Sequence, residues 1–212
     1  IAVLIYRALN GMAGNSHTAS QGIGDGYLTN GKPITEENVL ELLRQIEKDW
    51  PTGTVWGTNK TPGTHKNEIP STASGQIMRN YHVSNTYACG AYASMVSSLI
   101  FGDTANLGRR LDDLSQIRPG DILVYVRNSS GKVWHIVVAL ESPSDTNSFY
   151  ITDGNAGETI QWPDRQSTYS NMDNLDSYRG ENQIYRLEGW TRYPESVSYT
   201  GNSVEAWFAN NS

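Results

Sequence analysis

The chain has a single cysteine, Cys89, among 212 residues. No internal disulfide can form, so burial and hydrogen bonding must hold the fold. Long apolar runs are missing as well. None approaches the roughly 18 residues of a membrane span, and no membrane insertion is expected. Charge is scarce, at 18% of residues, and no basic cluster exceeds two residues. With a formal net charge of −6, the chain lacks the electropositive surface of a nucleic-acid binder. Its histidines, His17, His65, His82 and His135, are scattered. Neither a His-Glu-x-x-His nor a paired-cysteine spacing occurs, so no metal is expected. Gly22-Ile23-Gly24-Asp25-Gly26 has no strand before it and no lysine at the required place after it, so no nucleotide cofactor is expected. No secretory leader is visible, and the start at Ile1 carries the expectation of an upstream portion. The 22 acidic residues single out no pair for glycosidase chemistry.

What is plentiful is glycine, serine, threonine, asparagine and tyrosine, which describes a loop-rich domain with a neutral polar surface. Residues 1–10 read as a short helix or strand ending at Gly11, without a start signal. They resemble the last helix of a surface-layer homology repeat over barely a dozen residues. Residues 11–33 read as loop. Thr35 is a candidate N-cap, with Ile34 and Val39 as a hydrophobic staple and Glu36 and Glu37 suiting the dipole. Val39, Leu43, Ile46 and Trp50 then form one apolar face, and Pro51 stops the chain, which predicts a helix over 36–49. Residues 51–80 are a long irregular connection, either the wall of a groove or a packed loop.

The stretch around Cys89 organises the rest. From Cys89 to Ile100 there is neither proline nor charge. Cys89, Ala93, Val96 and Ile100 recur on one helical face, widened by Met95 and Leu99, and Gly102 ends the run. Cys89 is therefore expected in the first turn of a buried helix, where unpaired amides and the dipole favour a thiolate. A small buried core residue is the other reading of the same position. Downstream, Pro119-Gly120 is a turn leading into a strand at Ile122–Val126, and Asn128–Gly131 is a hairpin turn. Further strands are expected at Lys132–Glu141, at Phe149–Thr152 and, short, at Glu158–Trp162. Residues 163–181 read as polar loop with one helical turn, and Gln183–Leu187 as a final strand. Helices followed by an antiparallel meander make an α+β pattern. The expected organisation is an N-terminal helix and loop over 1–33, a main domain over 34–194, and a C-terminal appendage over 195–212, with Val204 and Trp207 able to dock.

Cysteine catalysis needs a thiolate, a base within hydrogen-bond reach and a group that orients the base. His135 lies in the second strand, alternating with Val133, Val137 and Ala139, while Trp134, Ile136, Val138 and Leu140 fill the other face. If its face covers the start of the cysteine helix, His135 can take the thiol proton. A satisfied core histidine is the alternative. Asp153, at the end of the neighbouring strand, can accept from the far ring nitrogen, and Asn155 can add a second polar contact. Asp-Gly-Asn is equally an ordinary turn. An oxyanion hole would use the Cys89 backbone N–H with a second donor, for which Tyr87, His82 and a group from 51–80 are candidates. Trp50, Trp56, Trp134 and Trp162 offer stacking surfaces for a ligand or else packing.

The motifs from Tyr87 to Ala93, Phe101-Gly102, Ile117-Arg118-Pro119-Gly120-Asp121-Ile122, His135 to Val138, Asp153-Gly154-Asn155, Ile160 to Trp162 and Thr191 to Pro194 together resemble a known group. It is the papain-like peptidoglycan amidohydrolases and peptidases of the NlpC/P60 and CHAP type, in particular secreted or surface proteins of Gram-positive anaerobic bacteria. The resemblance spans about residues 35–194. It implies a papain-like α+β fold with the cysteine helix packed on an antiparallel sheet. It also implies Cys89 as nucleophile, His135 as base, and Asp153 or Asn155 as its orienting partner. The implied substrate is peptidoglycan, at a stem-peptide bond or the N-acetylmuramoyl–L-alanine amide. No cofactor is implied, and cell-wall association is. Many relatives carry glutamate where this chain has Asp153, which leaves the orienting role open between Asp153 and Asn155. A non-catalytic wall- or protein-binding module, or a protease with protein substrates, would share the pattern.

Overall fold

The computed structural model describes residues 26–56, 89–102, 108–143, 148–163, 172–174 (backbone alone), 185–198 and 207–208. The expected helix or strand over 1–10 therefore lies outside the described residues, as do the expected loop over 11–33 up to residue 25 and the expected connection over 51–80 from residue 57. Among the described residues two α-helices, α1 (Glu36–Asp49) and α2 (Cys89–Phe101), precede seven strands. These are β1 (Arg109–Arg110), β2 (Ile122–Arg127), β3 (Val133–Ala139), β4 (Ser148–Ala156), β5 (Thr159–Gln161), β6 (Met172–Asn174) and β7 (Tyr185–Thr191). Six strands form a path β1-β7-β2-β3-β4-β5, and β6 pairs with β4 beside it. Every pairing is antiparallel. The architecture is a mixed α+β domain with helices packed on one antiparallel sheet.

Local chemistry explains both helices. The Thr35 hydroxyl accepts from the Asn38 amide at 3.2 Å, and Ile34 and Val39 are both buried, which completes the cap and the staple. Trp50 closes α1 by donating its amide to the Ile46 carbonyl at 2.9 Å. In α2 every residue from Cys89 to Ser97 is buried, so the helix is enclosed rather than merely amphipathic. Two of its serines are satisfied within the helix: Ser94 Oγ donates to the Gly90 carbonyl and Ser98 Oγ to the Ser94 carbonyl, each at 2.8 Å. Beyond Gly102, whose φ is +80°, the C-terminal carbonyls are met from the residue that follows β7. Arg192 Nη2 donates to Phe101 O at 3.2 Å while its guanidinium lies 5.4 Å from the Phe101 ring.

The sheet departs from a plain meander. The last strand β7 returns to pair along the whole of β2, Ile122↔Trp190 to Arg127↔Tyr185, instead of following β5. Residues expected as loop with a helical turn include β6, which pairs Ser148↔Asn174 through Tyr150↔Met172. The third strand does not end at Asp153 but continues to Ala156, because Asp153↔Gln161 and Gly154↔Ile160 extend the ladder to β5. Two apolar layers result. On one side Ile122, Val124, Ile136, Val138 and Leu140 pack with α1 and α2. On the other, Leu123, Tyr125, Val137, Ala139, Phe149 and Ile151 pack with Leu111, Ile117 and Leu187. No helix among the described residues is long and apolar enough to cross a membrane.

Candidate active site

Cys89 is the first residue of α2 and is buried, with 7% of its surface exposed. The first amides of a helix have no intrahelical acceptor and point toward its N-terminus, which is where Cys89 sits. The sequence makes the reach of His135 to Cys89 depend on its strand face covering α2, and of the residues that alternate with it Val133 packs against the helix layer. The other two, Val137 and Ala139, lie in the layer away from the helices. The helix covers Ile136, Val138 and Leu140.

The strand pairing provides another route. β3 and β4 pair only at Val138↔Thr152 and Ala139↔Ile151. Toward His135 the ladder stops, and side chains bridge the strands where backbone does not. His135 Nε2 lies 2.8 Å from Asp153 Oδ2, with the two side chains 21% and 8% exposed. Burial works against the imidazolium, yet hydrogen bonds to Asp153 and Cys89 and the charges of both outweigh it, raising the His135 pKa from 6.5 to about 10. With Nε2 engaged by Asp153, Nδ1 is the nitrogen left for the thiol. The imidazole thus has a carboxylate and a thiol as hydrogen-bond partners, and both favour its protonated form. An imidazole so partnered can take up and deliver a proton. Asp153 Oδ1 is buried and receives no hydrogen bond among the described residues.

Tyr92, one turn into α2, ties the helix to the same strand. Its hydroxyl donates to Thr152 Oγ1 at 2.7 Å, and Thr152 in turn donates to the Gln161 carbonyl at 2.9 Å. The Tyr92 ring lies so close to Gly154 that a β-carbon there would meet its Cγ at 2.3 Å. Glycine between Asp153 and Asn155 is thus a packing requirement, which the turn reading of Asp-Gly-Asn does not contain. Asn155 has φ +108°, beside the irregularity in the β4–β5 ladder. It is the carboxylate of Asp153 that contacts the imidazole.

The remaining candidates fall in different places. Tyr87 and His82 lie outside the described residues. Trp56 is fully buried, its ring edge-on to Tyr92 at 5.7 Å. Trp162 is 2% exposed, donates from Nε1 to the Trp50 carbonyl at 2.8 Å and stacks on Trp207. Both indoles belong to the core, which leaves them no surface to offer a ligand. Trp134, by contrast, is 52% exposed. The β2–β3 register shifts between Tyr125 and Val126, and this bulge removes Trp134 from the apolar face that alternation predicts for it. Nothing in the sequence marks the bulge.

Compared with known proteins, the chain matches no family model, no curated protein and no solved structure.

Proposed function

We propose that the protein is a cysteine-dependent amide hydrolase on a papain-like fold, with Cys89 as nucleophile, His135 as acid and base, and Asp153 as the group that orients the imidazole. The observation that carries this reading is the His135 ring, bonded to Asp153 at 2.8 Å and raised by Asp153 and Cys89 together to about 10. A core histidine needs one partner; His135 has two, the Asp153 carboxylate and the thiol of Cys89, which supports the reading.

The chemistry follows from those roles. The Cys89 thiolate adds to the amide carbonyl carbon, and backbone N–H groups at the start of α2 hold the oxyanion. The His135 imidazolium gives its proton to the leaving amine as the C–N bond breaks, which leaves a thioester on Cys89. His135, now neutral, takes a proton from water as the hydroxide adds to the thioester; the C–S bond then breaks, the acid product leaves, and Cys89 thiolate and His135 imidazolium are regenerated. Asp153 keeps the ring plane and tautomer through both halves. The sequence resemblance to NlpC/P60 and CHAP proteins supplies the substrate and the setting in this proposal: a peptidoglycan amide, met by a secreted or surface-held protein.

The test is alkylation of Cys89 by iodoacetamide on folded protein across acid and neutral pH, beside His135→Ala. The expected result is labelling that persists at about pH 6 in the wild type and is lost in the variant, as for a thiolate held by an imidazolium. Labelling that begins only near the free-thiol range, about 8.5, or only after unfolding, would overturn the hydrolase reading. A binding module on the same fold would then be favoured.

A further inference from the structure

Next to His135 lies a row of rings that the hydrolase chemistry does not use. The Trp134 indole stacks on Tyr185 with centroids 4.7 Å apart and planes 29° apart. Its edge meets His135 at 5.6 Å and Tyr125 at 6.1 Å. The Arg127 guanidinium lies 5.8 Å from the Tyr185 ring centroid. Trp134 is backed by two tyrosines yet leaves half its surface to water, beside the imidazole that the proposed reaction requires. Single exposed apolar residues need no explanation. A supported indole re-aimed by a bulge and touching the candidate base is a different case, because bulges concentrate next to active sites for that purpose.

The surrounding charge narrows what this surface takes. Arg127 and Lys132, at the two ends of the β2–β3 turn, are both exposed. The described carboxylate on β7, Glu188, is already shared between Arg110 at 3.3 Å and Arg186 at 3.0 Å. In a chain of net charge −6 this end of the described sheet is cationic. We infer that Trp134, Tyr185 and Arg127 form a substrate subsite beside His135 for an acidic peptide segment, its apolar part on the rings and its carboxylate at the guanidinium. The inference rests on the hydrolase reading for its choice of a peptide. Aromatic faces hold the apolar part of a chain without demanding its sequence, while arginine selects the carboxylate.

Calorimetric titration of the full chain carrying Cys89→Ser, which prevents turnover, tests it. The probes are a short acetylated peptide containing glutamate, its glutamine counterpart, and a stem-type peptide in which the glutamate is γ-linked. The glutamate peptide should bind about tenfold tighter than the glutamine one, the usual worth of a charged hydrogen bond. Adding Arg127→Gln should erase that difference and leave the glutamine peptide unchanged. Adding Trp134→Ala should weaken both by about tenfold, and Trp134→Phe should restore most of the loss, as expected of a stacking contact. Tighter binding of the γ-linked probe assigns the subsite to wall peptides, and tighter binding of the α-linked probe to proteins; the same residue dependence is required in either case. Equal affinities in Trp134→Ala and the parent overturn the inference, as does the absence of binding by every probe. Both side chains are exposed, so these variants should fold. Alkylation of Cys89 in the Trp134→Ala protein should match the wild type, which separates failure of this subsite from failure of the Cys89–His135 pair.

Discussion

His135 donates from Nε2 to Asp153 Oδ2 at 2.8 Å across the point where strands β3 and β4 stop pairing. The bond connects residues one strand apart and diagonal to each other, and it leaves Nδ1 for Cys89. It also separates the two candidate orienting residues. Asp153→Asn should lower turnover of an amide substrate by a factor of 100 or more, since an amide cannot balance the imidazolium. Asn155→Gly keeps the backbone, whose φ is +108°, and removes only the side chain. It should cost less than about tenfold if its carboxamide makes no more than one neutral hydrogen bond in the site. The reverse ranking, measured as kcat/KM on one substrate, would transfer the orienting role to Asn155.

The same bond predicts a pH dependence of stability. The His135 pKa is raised in the folded protein, to about 10 from 6.5. The folded state therefore holds this proton more tightly than the unfolded chain does. The stabilisation is complete below about 6.5 and disappears as pH rises through about 10. Urea midpoints should fall over that interval in the wild type and fall less in His135→Gln, the difference between the two proteins excluding other groups that titrate there. Parallel curves would show that His135 binds protons equally in both states.

How much of this was legible in the sequence depends on how local the signal is. α1 follows from Thr35, its apolar face and Pro51, all within one segment. α2 follows from the uncharged run after Cys89. Strands β2 to β5 follow from alternation and turn residues. The return of β7 to the edge of β2 is a long-range pairing, and no local pattern encodes it. β1 and β6, at two and three residues, are too short to show a period. His135 and Asp153 could be singled out by residue type and order. Their bond to each other could not, because it depends on where the β3–β4 ladder ends. The exposure of Trp134 depends in the same way on a bulge opposite Tyr125.

Gly154 is where packing and site meet. A methyl group there would come within 2.3 Å of Tyr92 Cγ, and Tyr92 is enclosed by Trp56 and held by Thr152. The ring has nowhere to move, so Gly154→Ala should destabilise by about 1–3 kcal/mol, the usual range for overpacking. Because Asp153 is its neighbour, acidic-pH alkylation of Cys89 should fall as well. Tyr92→Phe keeps the ring and should cost only about 1 kcal/mol, the worth of one hydrogen bond. Denaturant titration of both variants compares the two.

Arg192 supports the nucleophile helix from its far end. It donates to Phe101 O and Gly102 O at 3.2 and 3.4 Å and lies over the Phe101 ring. A cation there satisfies terminal carbonyls and opposes the negative end of the dipole. Arg192→Ala should cost about 1–2 kcal/mol, and Arg192→Lys should recover part of it by charge while losing the planar contact. Denaturation midpoints that do not distinguish the three proteins would remove this cap from the account.

Trp207 shows that part of the C-terminal segment belongs to the main core. The sequence suggests an appendage from Glu195 onward that docks through Val204 and Trp207, and the described part of it goes further than docking at the rim. Trp207 is fully buried, parallel to Trp162 within 4° at 5.7 Å, with the Arg44 guanidinium 5.8 Å from its ring centroid. Phe208 meets Tyr150 edge-on at 5.6 Å. Removing an enclosed indole typically costs about 3–5 kcal/mol, so Trp207→Ala should lower stability by that order. Trp162 should then become accessible to acrylamide quenching, and Trp207→Phe should fall between the two because part of the volume and the stacking face remain. The Nε1 of Trp207 is buried without a hydrogen bond among the described residues. Phenylalanine therefore gives up no such bond, which reduces its expected penalty further. A Trp207→Ala protein as stable as the wild type, with quenching unchanged, would mean that the segment does not rest on Trp162 in solution.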